Sequence, residues 1–264
     1  MDFKSYECIE FHRDGRILTI ALNRPEQRNA VNGRLHFELS RVFSDVQRDT
    51  ESDVVILTGN GSAFCAGGDI DWMQSHIDHP PEFERVMREG KDIPYSQLDL
   101  EKPLICKLNG HATGLGASLA LLCDIVIASE EAKIGDPHVS VGLVAGDGGA
   151  FIWPQLVGYA KAKKYLLTGE LMSATEAERI GLVTEVVPRA KLDETVDKLA
   201  QHLVSGATKA IRWTKIAATI PLRQLFHSYF DAGVAYEGMS NLTEDHAEAV
   251  KAFRERRKPV FTGK

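Results

Sequence analysis

Long apolar runs are missing from this 264-residue chain, and nothing approaches the ~20 apolar residues that a membrane-spanning helix requires. The opening segment Met1-Asp2-Phe3-Lys4-Ser5-Tyr6 is polar and has no signal-peptide core, so the expectation is a cytoplasmic protein without a membrane partner. Cysteine is also scarce. Cys8, Cys65, Cys106 and Cys123 lie far apart and form no Cys-x-x-Cys pair, which argues against a zinc site or a disulfide framework and for reduced, buried thiols. A basic surplus is absent too: 31 Lys+Arg against 37 Asp+Glu leave a formal charge of -6. The chain therefore has no general electrostatic reason to bind nucleic acid or an anionic membrane, and any anionic ligand must be held locally.

The common cofactor and hydrolase motifs are incomplete. Gly114-Leu115-Gly116 is followed by Leu119 where a dinucleotide fingerprint needs its third glycine. There is no Walker A lysine and no His-Glu-x-x-His, so no metal is expected. His138-Val139-Ser140-Val141-Gly142 approaches a nucleophile elbow but lacks its first glycine. The sequon Asn60-Gly61-Ser62 has no secretory context and reads as chance.

What is present is an ordinary globular balance, 44% hydrophobic and 26% charged residues. At this length folding hides roughly 70 to 75% of the unfolded surface, ample for a sizeable core. An apolar β-prone run, Ile17 to Asn23, ends at Arg24-Pro25. Leu35, Leu39, Val42, Phe43 and Val46 then recur at helical spacing behind Asn32, a candidate N-cap. Asp53 to Gly59 suits a strand buried on both faces, and the alternation repeats through Pro103–Leu108, Leu115–Leu122 and Ile125–Ala128. This order predicts a layered α/β fold. Residues 71–100 turn polar and predict a helical excursion or a cover. After Leu156 strand signals fade except for Gly181–Val187, and amphipathic segments follow over 192–203, 207–220, 223–238 and 244–256. The division expected is a core over 1–190 and a helical region over 191–264, too thin for a core of its own.

Two glycine clusters stand out: Ala63-Phe64-Cys65-Ala66-Gly67-Gly68-Asp69 after a buried strand, and Asn109-Gly110-His111-Ala112-Thr113-Gly114-Leu115-Gly116 at another strand-to-helix junction. Both place free backbone N–H groups at a loop or a first helical turn. Converging on one carbonyl oxygen, two such donors would form an oxyanion hole, each worth roughly 3 to 4 kcal/mol to an enolate. Tight turns and helix–strand packing explain the same glycines equally well on spacing alone.

With these clusters, Leu22-Asn23-Arg24-Pro25, Arg28-Asn29-Ala30, Cys123-Asp124, Gly148-Gly149, Leu167-Thr168-Gly169, Gly181-Leu182-Val183 and Lys258-Pro259-Val260-Phe261 make the chain resemble the enoyl-CoA hydratase/isomerase (crotonase) superfamily over nearly its whole length. The resemblance implies a crotonase-like spiral of ββα units, a helical C-terminal trimerisation region, and a homotrimer or dimer of trimers. It implies an acyl-CoA thioester, coenzyme A being the substrate carrier, with its carbonyl oxygen on the N–H groups of Gly68 and Leu115. Ala66 would adjoin the adenine end. Arg28 is either a ligand of the CoA phosphates or a solvated charge.

The chain departs from the hydratase pattern at both catalytic glutamates: Ser118 and His138 stand at those positions. Positioned acid/base groups contribute typically 10² to 10⁴ in rate, so ordinary hydration should be crippled while the CoA site stays intact. His138 with Asp147 resembles the dyad of superfamily members that hydrolyse carbon–carbon bonds of β-diketones, the carboxylate fixing the imidazole's tautomer. Alternatively both residues are local caps. Three readings result: a lyase or isomerase of the family, such as serves fatty acid metabolism, a carbon–carbon hydrolase, or a CoA-ester-binding module without catalysis. His111 is expected to be a packed turn residue, and His76 and His79, which lack ligand spacing, two solvated side chains. Asp69 is expected to cap a helix, and Ser118 could be a nucleophile only with a base beside it.

Overall fold

The computed structural model describes residues 3–264. The chain opens with the hairpin β1 (Ile9–Asp14) and β2 (Ile17–Leu22), followed by α1 (Gly33–Arg48). Three successive units then each supply a strand, a short second strand and a helical segment. They are β3 (Val54–Gly59), β4 (Ala63–Cys65), α2 (Ile70–Asp78) and α3 (Pro80–Asp99); β5 (Leu104–Leu108), β6 (His111–Thr113) and α4 (Leu115–Leu121); β7 (Ile125–Ser129), β8 (Lys133–Gly135) and α5 (Gly149–Val157). Next come α6 (Tyr159–Thr168), β9 (Met172–Ser173), α7 (Ala174–Arg179) and β10 (Glu185–Val187), then three helices, α8 (Leu192–Ser205), α9 (Thr208–Asn241) and α10 (Glu244–Arg254).

Each unit sends its first strand to a six-stranded sheet, ordered β1-β2-β3-β5-β7-β10, and its second to a four-stranded sheet, ordered β4-β6-β8-β9. The result is a spiral of ββα units. Apart from the β1–β2 hairpin the large sheet is parallel, and its inner strands are largely apolar because both faces are covered. β4, β6 and β8 are also parallel, with Cys65 opposite Ala112 and Thr113 opposite Gly135. Their C-terminal ends therefore lie side by side. The loops that leave them are the first glycine cluster, the second glycine cluster and the Asp136–His138 segment, so the topology gathers three distant sequence motifs at one sheet end.

The periodicity of α1 is realised as predicted: Leu35, Leu39, Val42, Phe43 and Val46 are fully buried, and the Asn32 side chain accepts a hydrogen bond from Leu35 N at 2.9 Å. Each such buried side chain contributes about 1.5–3 kcal/mol, the cap about 1 kcal/mol. The polar stretch after Asp71 is helical, as α2 and α3, with Asp69 capping α2 through a bond from Asp71 N at 3.1 Å.

The last three helices share the body's cores. Leu192, Val196 and Ala200 of α8 cover one face of the large sheet with Val54, Ile56, Ile105 and Ile127, whereas Phe226 and Phe230 of α9 enter the main core. Phe226 meets Phe151 and Tyr95 edge-on at 4.7 and 4.9 Å, joining α9 to α5 and α3. The two amphipathic segments expected over 207–238 form one 34-residue helix that passes through Pro221. Proline here forfeits a hydrogen bond and costs ~3 kcal/mol. Anchors on both sides hold the helix across it: Arg212 to Asp53 (2.6 Å) and Lys215 to Asp124 (2.7 Å) before, the buried phenylalanines after. Among the described residues no helix is long and apolar enough to cross a membrane.

Candidate active site

The two glycine loops touch. Gly67 (φ +81°) and Gly114 (φ +54°) both adopt the left-handed region that disfavours side chains. A Cβ on Gly67 would lie 2.9 Å from Thr113 O, and one on Gly114 would lie 3.3 Å from His138 Cε1. Two buried asparagines hold these loops. Asn29 Nδ2 donates to Asn60 O, Ala63 O and Phe64 O (2.9–3.1 Å), and its Oδ1 accepts from Arg24 N at 2.8 Å. Asn109 Oδ1 accepts from Gly59 N at 3.2 Å, while Nδ2 donates to Gly61 O at 3.1 Å.

Gly68 forms a parallel bridge with Val31. The flanking bonds, Val31 N to Gly67 O and Asp69 N to Val31 O, leave the Gly68 N–H facing away from that bridge. Leu115 is the first residue of α4, so its N–H has no acceptor within the helix. Both residues line one cavity, of about 90 Å³, together with His138, Asp147 and the apolar side chains of Trp72, Met73 and Phe83. Two such donors can stabilise an oxyanion.

His138 sits on the turn after β8, buried between two carboxylates. Its Nδ1 is in short contact with Asp136 Oδ1, and its Nε2 lies 3.4 Å from Asp147 Oδ2. Sequence reasoning supplied a single orienting carboxylate, Asp147. Asp136, two residues before the histidine, occupies Nδ1, which leaves Nε2 as the nitrogen beside Asp147 and the cavity. Burial by itself would lower the His138 pKa, but Asp136 and then Asp147 outweigh it and raise it well above 6.5. Burial raises the Asp147 pKa, opposed by His138. Asp147 Oδ1 also accepts Ser118 Oγ at 3.0 Å and Gly149 N at 3.4 Å, so it caps the start of α5 as well as meeting His138. Ser118 donates to a carboxylate and has no imidazole beside it.

Glu237 of α9 faces the same cavity and was not singled out from sequence. Desolvation first, and then the repulsion of Asp147, pushes its carboxyl up to about 8, so it carries a proton at neutral pH. The signal that could have found it is the stripe Phe230, Val234, Glu237 and Asn241: a lone acid on an otherwise apolar helical face.

Arg28 and Ala66 are exposed and lie outside the cavity wall, joined by a bond from Ala66 N to Arg28 O at 3.0 Å. They stand beside the first glycine loop. His111 corrects the expectation of a packed turn residue: it opens β6, an inner strand, and points outward, exposed, its Nδ1 accepting Lys133 N at 3.2 Å, while His79 is exposed at the α2–α3 junction. His76 corrects the expectation of a solvated side chain. It is 4% exposed, packs against Trp72 and Phe83, and lines the cavity, because α2 folds over the site rather than into solvent. Asp136, His138 and Asp147 could each offer a metal one ligand atom, all within 4.8 Å of one another. Both imidazole nitrogens already face carboxylates, so coordination would cost His138 one of those contacts.

The profile of the enoyl-CoA hydratase/isomerase family matches residues 12–264. The chain belongs to this family. A relative in Escherichia coli K12, a 1,2-epoxyphenylacetyl-CoA isomerase, is 34% identical over 262 residues, 98% of this chain and 99% of that protein. The structure of an enoyl-CoA hydratase/isomerase from Mycobacterium paratuberculosis superposes with a TM-score of 0.89 at 34% identity, covering 92% and 97% of the two chains. A β-diketone hydrolase from the cyanobacterium Anabaena sp. PCC 7120, bound to (S)-3-oxocyclohexyl acetic acid, superposes with a TM-score of 0.84 at 33% identity, covering 91% and 96%. This enoyl-CoA hydratase/isomerase family member therefore has the crotonase fold and belongs among acyl-CoA-processing proteins. His138, Asp147 and Glu237 line its cavity, with Asp136 behind His138 on Nδ1.

Proposed function

We propose that the protein hydrolyses the bond between the α- and β-carbons of a β-dicarbonyl acyl-CoA. The observation that carries this reading is an imidazole held between two carboxylates and facing, in one apolar cavity, a protonated glutamic acid. Asp136 holds the proton on Nδ1, so that above its raised pKa, where Nε2 has lost its proton, His138 presents Nε2 as a base. Water adds its oxygen to the β-carbonyl carbon and gives one proton to Nε2. The tetrahedral adduct then breaks the Cα–Cβ bond. Its electron pair leaves as the enolate of the shortened thioester, whose oxygen accepts hydrogen bonds from Gly68 N and Leu115 N. Glu237 protonates the α-carbon and regains a proton from His138 through water. The products are a carboxylic acid and a shorter acyl-CoA, and the atoms of one water are accounted for. Arg28 and the backbone at Ala66 hold the CoA phosphates and adenine at the rim.

A second reading, hydrolysis of a cyclic β-diketone without CoA, is supported by the likeness to the Anabaena hydrolase. A panel of enoyl-CoA, β-ketoacyl-CoA and cyclic β-diketone substrates, assayed in H₂¹⁸O, separates these readings. One ¹⁸O in the released carboxylate supports hydrolysis, and hydration of an enoyl-CoA would replace it. Binding of CoA esters without turnover of any of them would make the protein a non-catalytic module. Retention of full rate by His138→Ala would sink the proposed base. We further propose assembly as a homotrimer or dimer of trimers, supported by exposed Trp213, Tyr236, Met239, Leu242 and Phe253 on α9, α10 and the turn between them. Analytical ultracentrifugation returning a monomer would refute it.

A further inference from the structure

The end of the cavity beyond Glu237 is polar without being paired. Asn241 lies one helical turn past Glu237 on α9, about 6 Å along the axis, and lines the cavity while only 4% exposed. Its Nδ2 has no hydrogen-bond partner. His76 enters the same wall from α2 and makes only aromatic contacts, to Trp72 and Phe83, with no hydrogen bond among the described residues. Behind them is His246, fully buried, which engages Val141 O through Nδ1 at 2.7 Å and leaves Nε2 unpartnered. Leaving a buried donor or acceptor unmet costs about 1–3 kcal/mol per group. Such a cost beside one end of an apolar cavity, met at Asn241 on α9 and at His246 on α10, marks where a ligand atom completes the bonding.

The chemistry of that atom follows from the groups present. An amide and a neutral imidazole offer hydrogen bonds without charge, and burial drives the His76 pKa down to about 4, so no cation waits there at neutral pH. A carboxylate would sit one turn from Glu237, and Arg85, which lies near enough to act on His76, is already paired with Glu89 at 2.9 Å. A neutral oxygen fits. Trp72, Met73 and Phe83 flank the approach with flat or pliable apolar surface suited to a ring or a branched chain.

We infer that Asn241, with His76, selects substrates whose acyl part carries a second, uncharged oxygen, a ketone or hydroxyl, several atoms beyond the reacting carbonyls. This rests on the proposed function only in placing the acyl group in this cavity, and it can be tested without turnover. Two saturated thioesters with no β-carbonyl, cyclohexylacetyl-CoA and its ring-ketone analogue, are titrated calorimetrically into the wild-type protein and Asn241→Leu. The wild type is expected to bind the ketone tighter by roughly tenfold or more, and Asn241→Leu to bring the ratio close to one by weakening the ketone alone. Equal affinity of the wild type for both would mean that an ordered water satisfies Asn241, and would overturn the inference. An unchanged ratio in Asn241→Leu would overturn it too, as would binding of neither ligand. Failure of carbon–carbon hydrolysis with the binding preference intact would instead refute the proposed reaction and leave the specificity standing.

Discussion

Replacing Glu237 by glutamine should inactivate the protein and stabilise it, with a stability gain that depends on pH. The carboxyl would ionise near 4.5 in an unfolded chain and at about 8 in the folded one. Between those values the folded protein binds the extra proton, so stability is fully present below 4.5 and falls as pH rises toward 8. At 1.36 kcal/mol per pH unit, the cost at pH 7 is at most about 3 kcal/mol. Water in the open cavity screens the group, so about 1–3 kcal/mol is the reasonable range. Glutamine keeps the shape and removes the titration. Its gain over wild type should be small at pH 5 and should grow through pH 7 to pH 8, where a melting temperature several degrees higher is expected. Urea unfolding of both proteins at pH 5, 6, 7 and 8 measures the difference directly. A gain that stays flat with pH, or a variant less stable at every pH, would refute the assignment of a half-buried, proton-bearing Glu237. In parallel kcat should fall by roughly 10² to 10⁴ if this acid protonates the enolate.

Three further outcomes follow from the geometry. Asp136→Asn removes the leading charge that raises the His138 pKa, so the acid limb of the pH–rate profile should move down by about one unit or more; an unmoved limb would show that Asp136 does not set the titration. Gly114→Ala forces a side chain into φ +54° with its Cβ 3.3 Å from His138 Cε1. Such strain costs roughly 1–2 kcal/mol, and kcat should drop by more than the melting curve does, since the imidazole is displaced. Asn29→Ala leaves the carbonyls of Asn60, Ala63 and Phe64 without their donor and should cost about 1–3 kcal/mol in chemical denaturation, with weaker binding of acyl-CoA as the Gly67–Gly68 loop loosens.

The elements that were legible in sequence are those with periodic apolar residues and a local cap. α1 could be read from Leu35, Leu39, Val42, Phe43 and Val46 behind Asn32, and the buried parallel strands from unbroken runs such as Val54–Leu57. The glycine clusters were legible as backbone features, because positive φ and free N–H groups are local properties. Partnerships across the fold were not. Asp136 lies two residues from His138 yet has no sequence mark, since i and i+2 meet only when the backbone turns as it does after β8. Glu237 is separated from His138 by 99 positions and reaches it because α9 runs unbroken through Pro221, against the ordinary helix-ending rule. Lys102 is similarly silent. Its ammonium is buried, donating to Val46 O and Ser52 Oγ at 2.7 and 2.9 Å, and burial brings its pKa down to about 8. Nothing around it in sequence distinguishes it from a solvated lysine.

The distribution of charge bears on which substrates the site can accept. A protein of net charge -6 that places Asp147 and Glu237 on one cavity, with Asp136 behind His138, would repel an anion from its reacting centre. Two features limit that repulsion: His138 holds positive charge between its carboxylates, and Glu237 stays protonated. The cluster then carries at most one net negative charge, suited to a neutral dicarbonyl, and in the proposed function the phosphates of CoA remain at the rim beside Arg28. The two zones answer salt differently. Contacts at an exposed arginine are screened within about 8–10 Å at physiological ionic strength, whereas buried pairs are not. Raising salt should therefore increase KM for a CoA ester several-fold while leaving kcat and the pH profile in place. The same titration with a cyclic diketone should leave KM unmoved. A salt-dependent kcat would show that the charged cluster is open to solvent during turnover, contrary to the burial on which its pKa values depend.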